Sequence, residues 1–342
     1  MLTTRNVWKT SHAGAIKRLK LITEDLAELA PDSVRIEVKA VGLNFADIFA
    51  LTGLYSATPK GAFIPGLEYS GVVTALGDAV TDFKVGDRIM GVTRFGGYVD
   101  KLDTTPEHLQ LLPESWSFEQ GAAYLVQTLT AWYALTALGN IKKDQQVLVQ
   151  SAAGGVGLQA MKICRALGAH PVGFVSSEEK AALLKSLGFE QSYIRQQPFA
   201  DQLTQLNITL DLVLDAIGGE VQYASFNALK PMGRLVVFGA AEFTPGKNRP
   251  NYLKAAWQYL KRPKYDVMEM ISENKSVMAF NLIWLWQETG LMAELVSQMG
   301  RIDIAAPYVG HTFAFSQAHQ AIECLRSGKT VGKVVLTLAS ND

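Results

Sequence analysis

Short apolar runs separated by turn residues fill the first third of the chain. Val34 to Ala40, Ser70 to Ala75 and Arg88 to Val92 read as β-strands, punctuated by Gly42, Gly53, Pro65, Gly66, Gly77 and Gly86. Brief strands at this spacing predict a compact β-rich domain to about residue 120, a partly closed barrel.

The pattern then changes. Gln146 to Gln150 is an apolar-biased strand, followed by glycines and a helix through about Leu167. His170 to Val175 is the next strand and Glu178 to Leu187 the next helix; Asp211 to Asp215 and Arg234 to Phe238 are further strands with helical stretches around them. Strand–helix alternation of this kind predicts a doubly wound α/β layer with a parallel sheet and right-handed crossovers. The chain closes with one long helix around Leu285 to Met299, a second around Ser316 to Arg326, and a strand, Lys333 to Leu338.

Composition adds limits to this picture. The 342 residues suit two domains, 48% are hydrophobic and 19% charged, and the formal net charge is zero. Balanced charge gives no electrostatic case for a nucleic-acid partner. Two cysteines, Cys164 and Cys324, cannot form a disulfide framework and read as buried apolar residues of a reducing compartment. No leader-like start and no apolar run of roughly 18 residues is present, so the expectation is a cytoplasmic protein without membrane contact.

The most informative stretch is Gln150-Ser151-Ala152-Ala153-Gly154-Gly155-Val156-Gly157, between a strand and a helix. Backbone N–H groups at such a turn face a pyrophosphate, and glycine is needed where a Cβ would block the approach. Ala152 stands in the first glycine's place, so the strict G-x-G-x-x-G is absent. The surrounding strand–turn–helix–strand order nevertheless predicts a dinucleotide site over Ala153, Gly154, Gly155, Val156 and Gly157. Where an NAD site carries a carboxylate, this chain has Ser176 and Ser177, with Lys180 and Arg195 close behind. Small hydroxyls and two cations predict NADPH. Ser177 also reads as a helix N-cap, and Lys180 as a solvated helix residue.

At this point the chain resembles the zinc-free quinone oxidoreductase branch of the medium-chain dehydrogenase/reductases. The likeness rests on Val41-Gly42-Leu43-Asn44-Phe45-Ala46-Asp47, Ile64-Pro65-Gly66-Leu67-Glu68-Tyr69-Ser70-Gly71, Val85-Gly86-Asp87-Arg88, the phosphate turn and Gly332-Lys333-Val334-Val335-Leu336. It implies a GroES-like β-rich catalytic domain, residues 1–120 and 285–342, around a Rossmann cofactor domain, residues 121–284. It also implies a homodimer. A basic, aromatic insertion over residues 243–274 is similar to the vesicle amine transport protein-like subgroup. Zinc alcohol dehydrogenases place Cys near Leu43 or Asn44 and His in a Gly-His-Glu; this chain has Asn44 and Gly66-Leu67-Glu68, and lacks the four-cysteine lobe. Catalytic zinc wants three ligands of His, Cys or carboxylate type, and no metal site is expected.

Without a metal, the cofactor carries the reaction and the protein supplies position and polarity. Correspondence with the family sets Asn44, Asp47, Tyr55, Gln127 and Thr130 near the nicotinamide, and Phe238, Gly239 and Lys333 on the cofactor side. Asn44 and Asp47 also read as turn or helix caps, and Tyr55 as a packing residue. The histidines read as structural. Three functions remain open: quinone reduction, reduction of an enone, alkenal or enoyl-thioester double bond, and NADPH binding in an interaction protein with little turnover. In the insertion, Leu253, Ala256, Trp257 and Leu260 fall at helical spacing, ringed by Lys254, Lys261, Arg262 and Lys264. Packing on the protein's own core or a dimer mate, or covering the cleft, is the expected use of that stripe; an anionic membrane is the alternative.

Overall fold

A computed structural model describes residues 3–338. Two sheets organise the chain. One has six parallel strands in the order Ser192–Ile194, His170–Val175, Gln146–Gln150, Leu210–Asp215, Leu229–Val237 and Ser276–Ala279. Val147, Leu148 and Val149 in its centre are fully buried, because crossover helices cover both faces. Strand order reverses direction between Gln146–Gln150 and Leu210–Asp215, and a doubly wound sheet opens its ligand crevice at such a switch point.

The second sheet runs Val309–Ala314, Lys333–Thr337, Val34–Gly42, Glu68–Leu76, Arg88–Val92 and Leu109–Leu111, with Lys101–Thr104 also pairing Val34–Gly42. Val34, Ile36 and Val38 point into the core while Arg35, Glu37 and Lys39 alternate outward, a period of two that sets one face inside. Thus the last strand completes the sheet begun near the start, with Val335 opposite Gly42. The two halves also meet at the glycine turn, where the Gly332 N–H donates to the Ala153 carbonyl at 2.8 Å.

The long helix expected over Leu285 to Met299 is two elements. A 3₁₀ segment, Leu282–Gln287, is followed by the α-helix Thr289–Met299, and Glu288 between them is non-helical at φ −90°, ψ 60°. Thr289 and Gly290 are weak helix formers, and Ile283 is drawn into an apolar cluster with Ala57 and Leu67. The next helix is likewise preceded by a 3₁₀ turn and spans Ala318–Arg326.

In the insertion, one of the expected uses of the apolar stripe is ruled out. Its helix, Tyr252–Lys261, is capped by the Asn251 side chain, which accepts the Lys254 N–H. Leu253, Trp257 and Leu260 are 85%, 59% and 69% exposed, so this stripe does not pack on the chain's own core. A Gln258 bond to the Glu242 carbonyl sets Tyr252, Ala255, Ala256 and Tyr259 along the cavity rim, with Tyr252 and Tyr259 still 60% and 57% exposed. The segment before the helix is pinned to the β-rich half, where Asn248 accepts the Ile16 and Lys17 N–H groups. No helix among the described residues is long and apolar enough to cross a membrane.

Candidate functional site

A cavity of about 1110 Å³ runs between the two halves, from the glycine turn to an apolar end under the 3₁₀ segment. At the turn, Ser151 has a left-handed φ of 54° and Gly154 caps the helix Gly155–Ala166. A Cβ at Gly157 would collide with the Ser151 carbonyl and lie 2.7 Å from the Ala152 Cα, so only glycine lets the helix begin there. A Cβ at Gly155 would strike the Gln127 side chain. Gln127 is buried, its Oε1 has no partner, and it lines the cavity beside the free N–H groups of the helix start. An open cradle, an orphaned buried acceptor and two nearby cations fit a dinucleotide phosphate and its ribose hydroxyls.

Most of the site expected from sequence does line this cavity. Asn44, Tyr55, Gln127 and Thr130 do so, as do Ala153 to Gly157, Ser176, Lys180, Arg195, Phe238, Gly239 and Lys333. Ser177 does not; its hydroxyl caps the helix Glu178–Ser186 by accepting the Lys180 N–H. Asp47 does not either. It is buried, accepting the Asn44 N–H at 2.8 Å, the Gly66 N–H at 3.1 Å and the Tyr98 hydroxyl at 3.1 Å. Its place is to hold two motif loops together beneath the site.

Burial pushes the Asp47 carboxyl up to about 6, against the pull of the Asn44 N–H, Lys333 and its other donors. The sign follows. A carboxyl harder to ionise in the fold than in the unfolded chain stabilises the fold at low pH and loses that contribution as pH rises from about 4 to about 6. The slope is at most ~1.4 kcal/mol per pH unit. Thermal melts of wild type and Asp47→Asn across pH 4 to 7 check this. The wild-type advantage should shrink with rising pH and level off above the upper value; a constant difference would show that Asp47 does not titrate there.

A buried network that spacing does not reveal underlies Asn44. The Lys333 ammonium contacts Glu68 Oε1 and donates to Asn44 Oδ1 at 2.8 Å. The Asn44 amide nitrogen donates to Glu68 Oε1 at 3.0 Å, and Glu68 Oε2 accepts the Val126 N–H at 3.0 Å. The available signal was a carboxylate at the head of the strand Glu68–Leu76, whose first four residues are buried. This donor set does not fit zinc. Leu43 and Leu67 are buried aliphatics at the ligand positions, and an ammonium already occupies the carboxylate. Among the described residues no group of three or more His, Cys, Asp or Glu is placed to hold a metal.

At the far end the cavity is apolar, walled by Phe49, Leu54, Leu67, Ile283, Trp286 and Met292. Trp286 is held by a parallel stack with His108, ring centres 3.7 Å apart. One polar pair interrupts this wall: the Tyr55 hydroxyl donates to Asn281 Oδ1 at 2.8 Å. Asn281 is a second site residue that sequence reading missed, a lone amide in Phe280-Asn281-Leu282-Ile283.

A β-rich half built from both chain ends, around a six-stranded parallel sheet with a phosphate-type turn, is the architecture of the medium-chain oxidoreductases. Family models agree along the chain. "Alcohol dehydrogenase GroES-like domain" matches residues 30–125 and "Zinc-binding dehydrogenase" matches residues 155–282. The chain is 32% identical to the human "Synaptic vesicle membrane protein VAT-1 homolog", covering 94% of this chain and 84% of the relative. It is similar to the solved quinone oxidoreductase from Thermus thermophilus, described also in its complex with NADPH, at 30% identity and TM-score 0.80 over 97% and 100% of the two chains. The CurK enoyl reductase superposes with TM-score 0.82 at 26% identity over 98% and 99%. The chain belongs to the medium-chain dehydrogenase/reductase superfamily, as a VAT-1-like member.

Proposed function

We propose that the chain is an NADPH-dependent reductase of uncharged carbonyl-conjugated acceptors, quinones first. The observation that carries this reading is the polarity of the long cavity. Its lining cations are Lys180, Arg195 and Lys333, all on the cofactor side, and its other end presents aliphatic and aromatic walls with one amide–phenol pair. The turn Ala153 to Gly157 would hold the pyrophosphate, and Lys180 and Arg195 the 2′-phosphate. Gln127 and Thr130 would flank the nicotinamide. Bound NADPH supplies a hydride. The protein's part is to seat the acceptor against the cofactor, exclude water with the Ile283–Trp286 wall, and offer a donor to the oxygen on which charge accumulates.

Double-bond reduction is the second reading, favoured by the similarity to an enoyl reductase. The same hydride geometry serves both. NADPH oxidation with a panel of quinones, enones, alkenals and enoyl thioesters is the test. Turnover of quinones above all others is expected. Tight NADPH binding with negligible turnover of every acceptor would overturn the reductase reading in favour of an interaction protein.

A further inference from the structure

Some polar groups facing the cavity are committed to the protein itself, whereas Ser56, Gln127 and Ser176 make no side-chain hydrogen bond to a described residue. Thr130 Oγ1 donates to the Val126 carbonyl at 2.7 Å and Thr93 Oγ1 to the Phe95 carbonyl at 2.6 Å. The Asn44 amide nitrogen donates to Glu68 and, at 3.4 Å, to the Gly42 carbonyl, while its oxygen receives Lys333. Asn281 differs. Its oxygen accepts from Tyr55, and its amide nitrogen makes no hydrogen bond to any described residue. The side chain is half-buried and lines the cavity, so its amide N–H groups are free to donate to an acceptor bound there.

Building on the acceptor reading above, we propose that Asn281 binds the acceptor's carbonyl oxygen, donating its free side-chain N–H, with Tyr55 as the positioning residue that fixes the amide. Three observations support this. The pair joins the two halves of the molecule, since Tyr55 follows the helix Phe45–Thr52 and Asn281 follows the last strand of the parallel sheet, Ser276–Ala279. The donor is therefore held by a contact between the two halves. Burial pushes the Tyr55 hydroxyl up to about 12, so it stays protonated and donates, which orients the amide oxygen toward Tyr55 and the N–H groups away from it. Leu282, Ile283 and Trp286, on the residues that follow, supply a flat apolar wall beside the amide.

The chemistry matches an uncharged acceptor. A quinone or enone enters neutral, and hydride addition at ring or β-carbon moves an electron pair onto the carbonyl oxygen. An amide N–H binds the neutral oxygen modestly and the oxyanion more strongly, so it helps after the charge appears. Proton uptake from solvent then completes the hydroquinone or saturated carbonyl product. Arg94 is felt at the Tyr55 hydroxyl and sits over the Trp284 ring, but it does not line the cavity.

The test uses the whole protein with NADP⁺ present, so that no hydride is available and binding is read alone. Tryptophan fluorescence reports 1,4-naphthoquinone and, separately, naphthalene, which has the rings without the oxygens. Asn281→Asp keeps the shape and removes the donor. It should weaken naphthoquinone binding about tenfold or more, leave naphthalene and NADP⁺ binding within about twofold, and lower kcat/KM for quinones to match. Tyr55→Phe should give a smaller loss in the same direction. Equal weakening of naphthalene and naphthoquinone would make Asn281 a packing residue and overturn the proposal, as would naphthoquinone binding unchanged by Asn281→Asp. If wild type binds no carbonyl compound at all, the acceptor reading itself falls, and this inference falls with it.

Discussion

Glu68→Ala is expected to destabilise the fold by about 3–5 kcal/mol, the range for breaking a buried ion pair by removing one partner. The side chains of Glu68 and Lys333 are 1% and 5% exposed. Deleting the carboxylate leaves an ammonium without its counter-charge. It also strands the Val126 N–H near the start of the helix Leu125–Trp132 and frees the amide of Asn44. The loss is shared across the molecule, because Glu68 and Lys333 are 265 residues apart and their contact helps fasten the last strand to the sheet. Glu68→Gln keeps the volume but sets an amide N–H against the Lys333 ammonium or the Val126 N–H, so it should cost less than alanine and still be substantial. Replacing both partners with methionine should recover much of the stability, since an apolar pair of similar volume carries no desolvation penalty. Denaturant midpoints of Glu68→Met, Lys333→Met and the double variant give the coupling directly. A single variant within about 0.5 kcal/mol of wild type, as for an exposed residue, would show that the pair contributes nothing.

That pair also marks where sequence reading stops. Periodicity locates Gln146–Gln150, His170–Val175 and Arg88–Val92 to the residue, because each is a run of apolar side chains bounded by turn residues and largely buried. The turn from Ala153 to Gly157 is legible for a related reason: glycine there answers a local steric demand, visible at Gly157. Correspondence assigns Asp47 and Ser177 to the site, yet local hydrogen bonding claims both, one under three donors and one as a cap. The roles of Glu68 and Asn281 escape notice because each acts through a residue far away in the chain, Lys333 and Tyr55, and spacing carries no record of such partners. The helix Tyr252–Lys261 shows the same limit. Its apolar stripe is periodic as expected, but the face along the cavity rim is set by the Gln258 bond to the Glu242 carbonyl.

Loss of either Lys180 or Arg195 should weaken NADPH binding by about ten- to a hundredfold, with a much smaller effect on NADH. A charge-assisted contact to the 2′-phosphate is worth about 1.5–3 kcal/mol, and each 1.4 kcal/mol is a decade. Both cations line the cavity beyond the strand His170–Val175, where Ser176 offers no carboxylate. Burial holds both below their ordinary values, and Arg195 beside Lys180 lowers the lysine further, so an anion between them relieves a standing repulsion. Their present contacts distinguish them. The Lys180 ammonium donates to the Gly328 carbonyl of the β-rich half at 2.6 Å, whereas Arg195 reaches Gln150 Oε1 at 3.3 Å within the parallel-sheet half. Lys180→Ala therefore removes a tie between the halves as well as a phosphate ligand, and should add a modest loss for NADH that Arg195→Ala lacks. The double variant should fall short of the sum, because neighbours sharing one phosphate are coupled. Titration of all three variants with both cofactors decides it. Wild type binding NADH as tightly as NADPH would refute the reading of Ser176, Lys180 and Arg195, and equal weakening of both cofactors by Arg195→Ala would make that arginine structural.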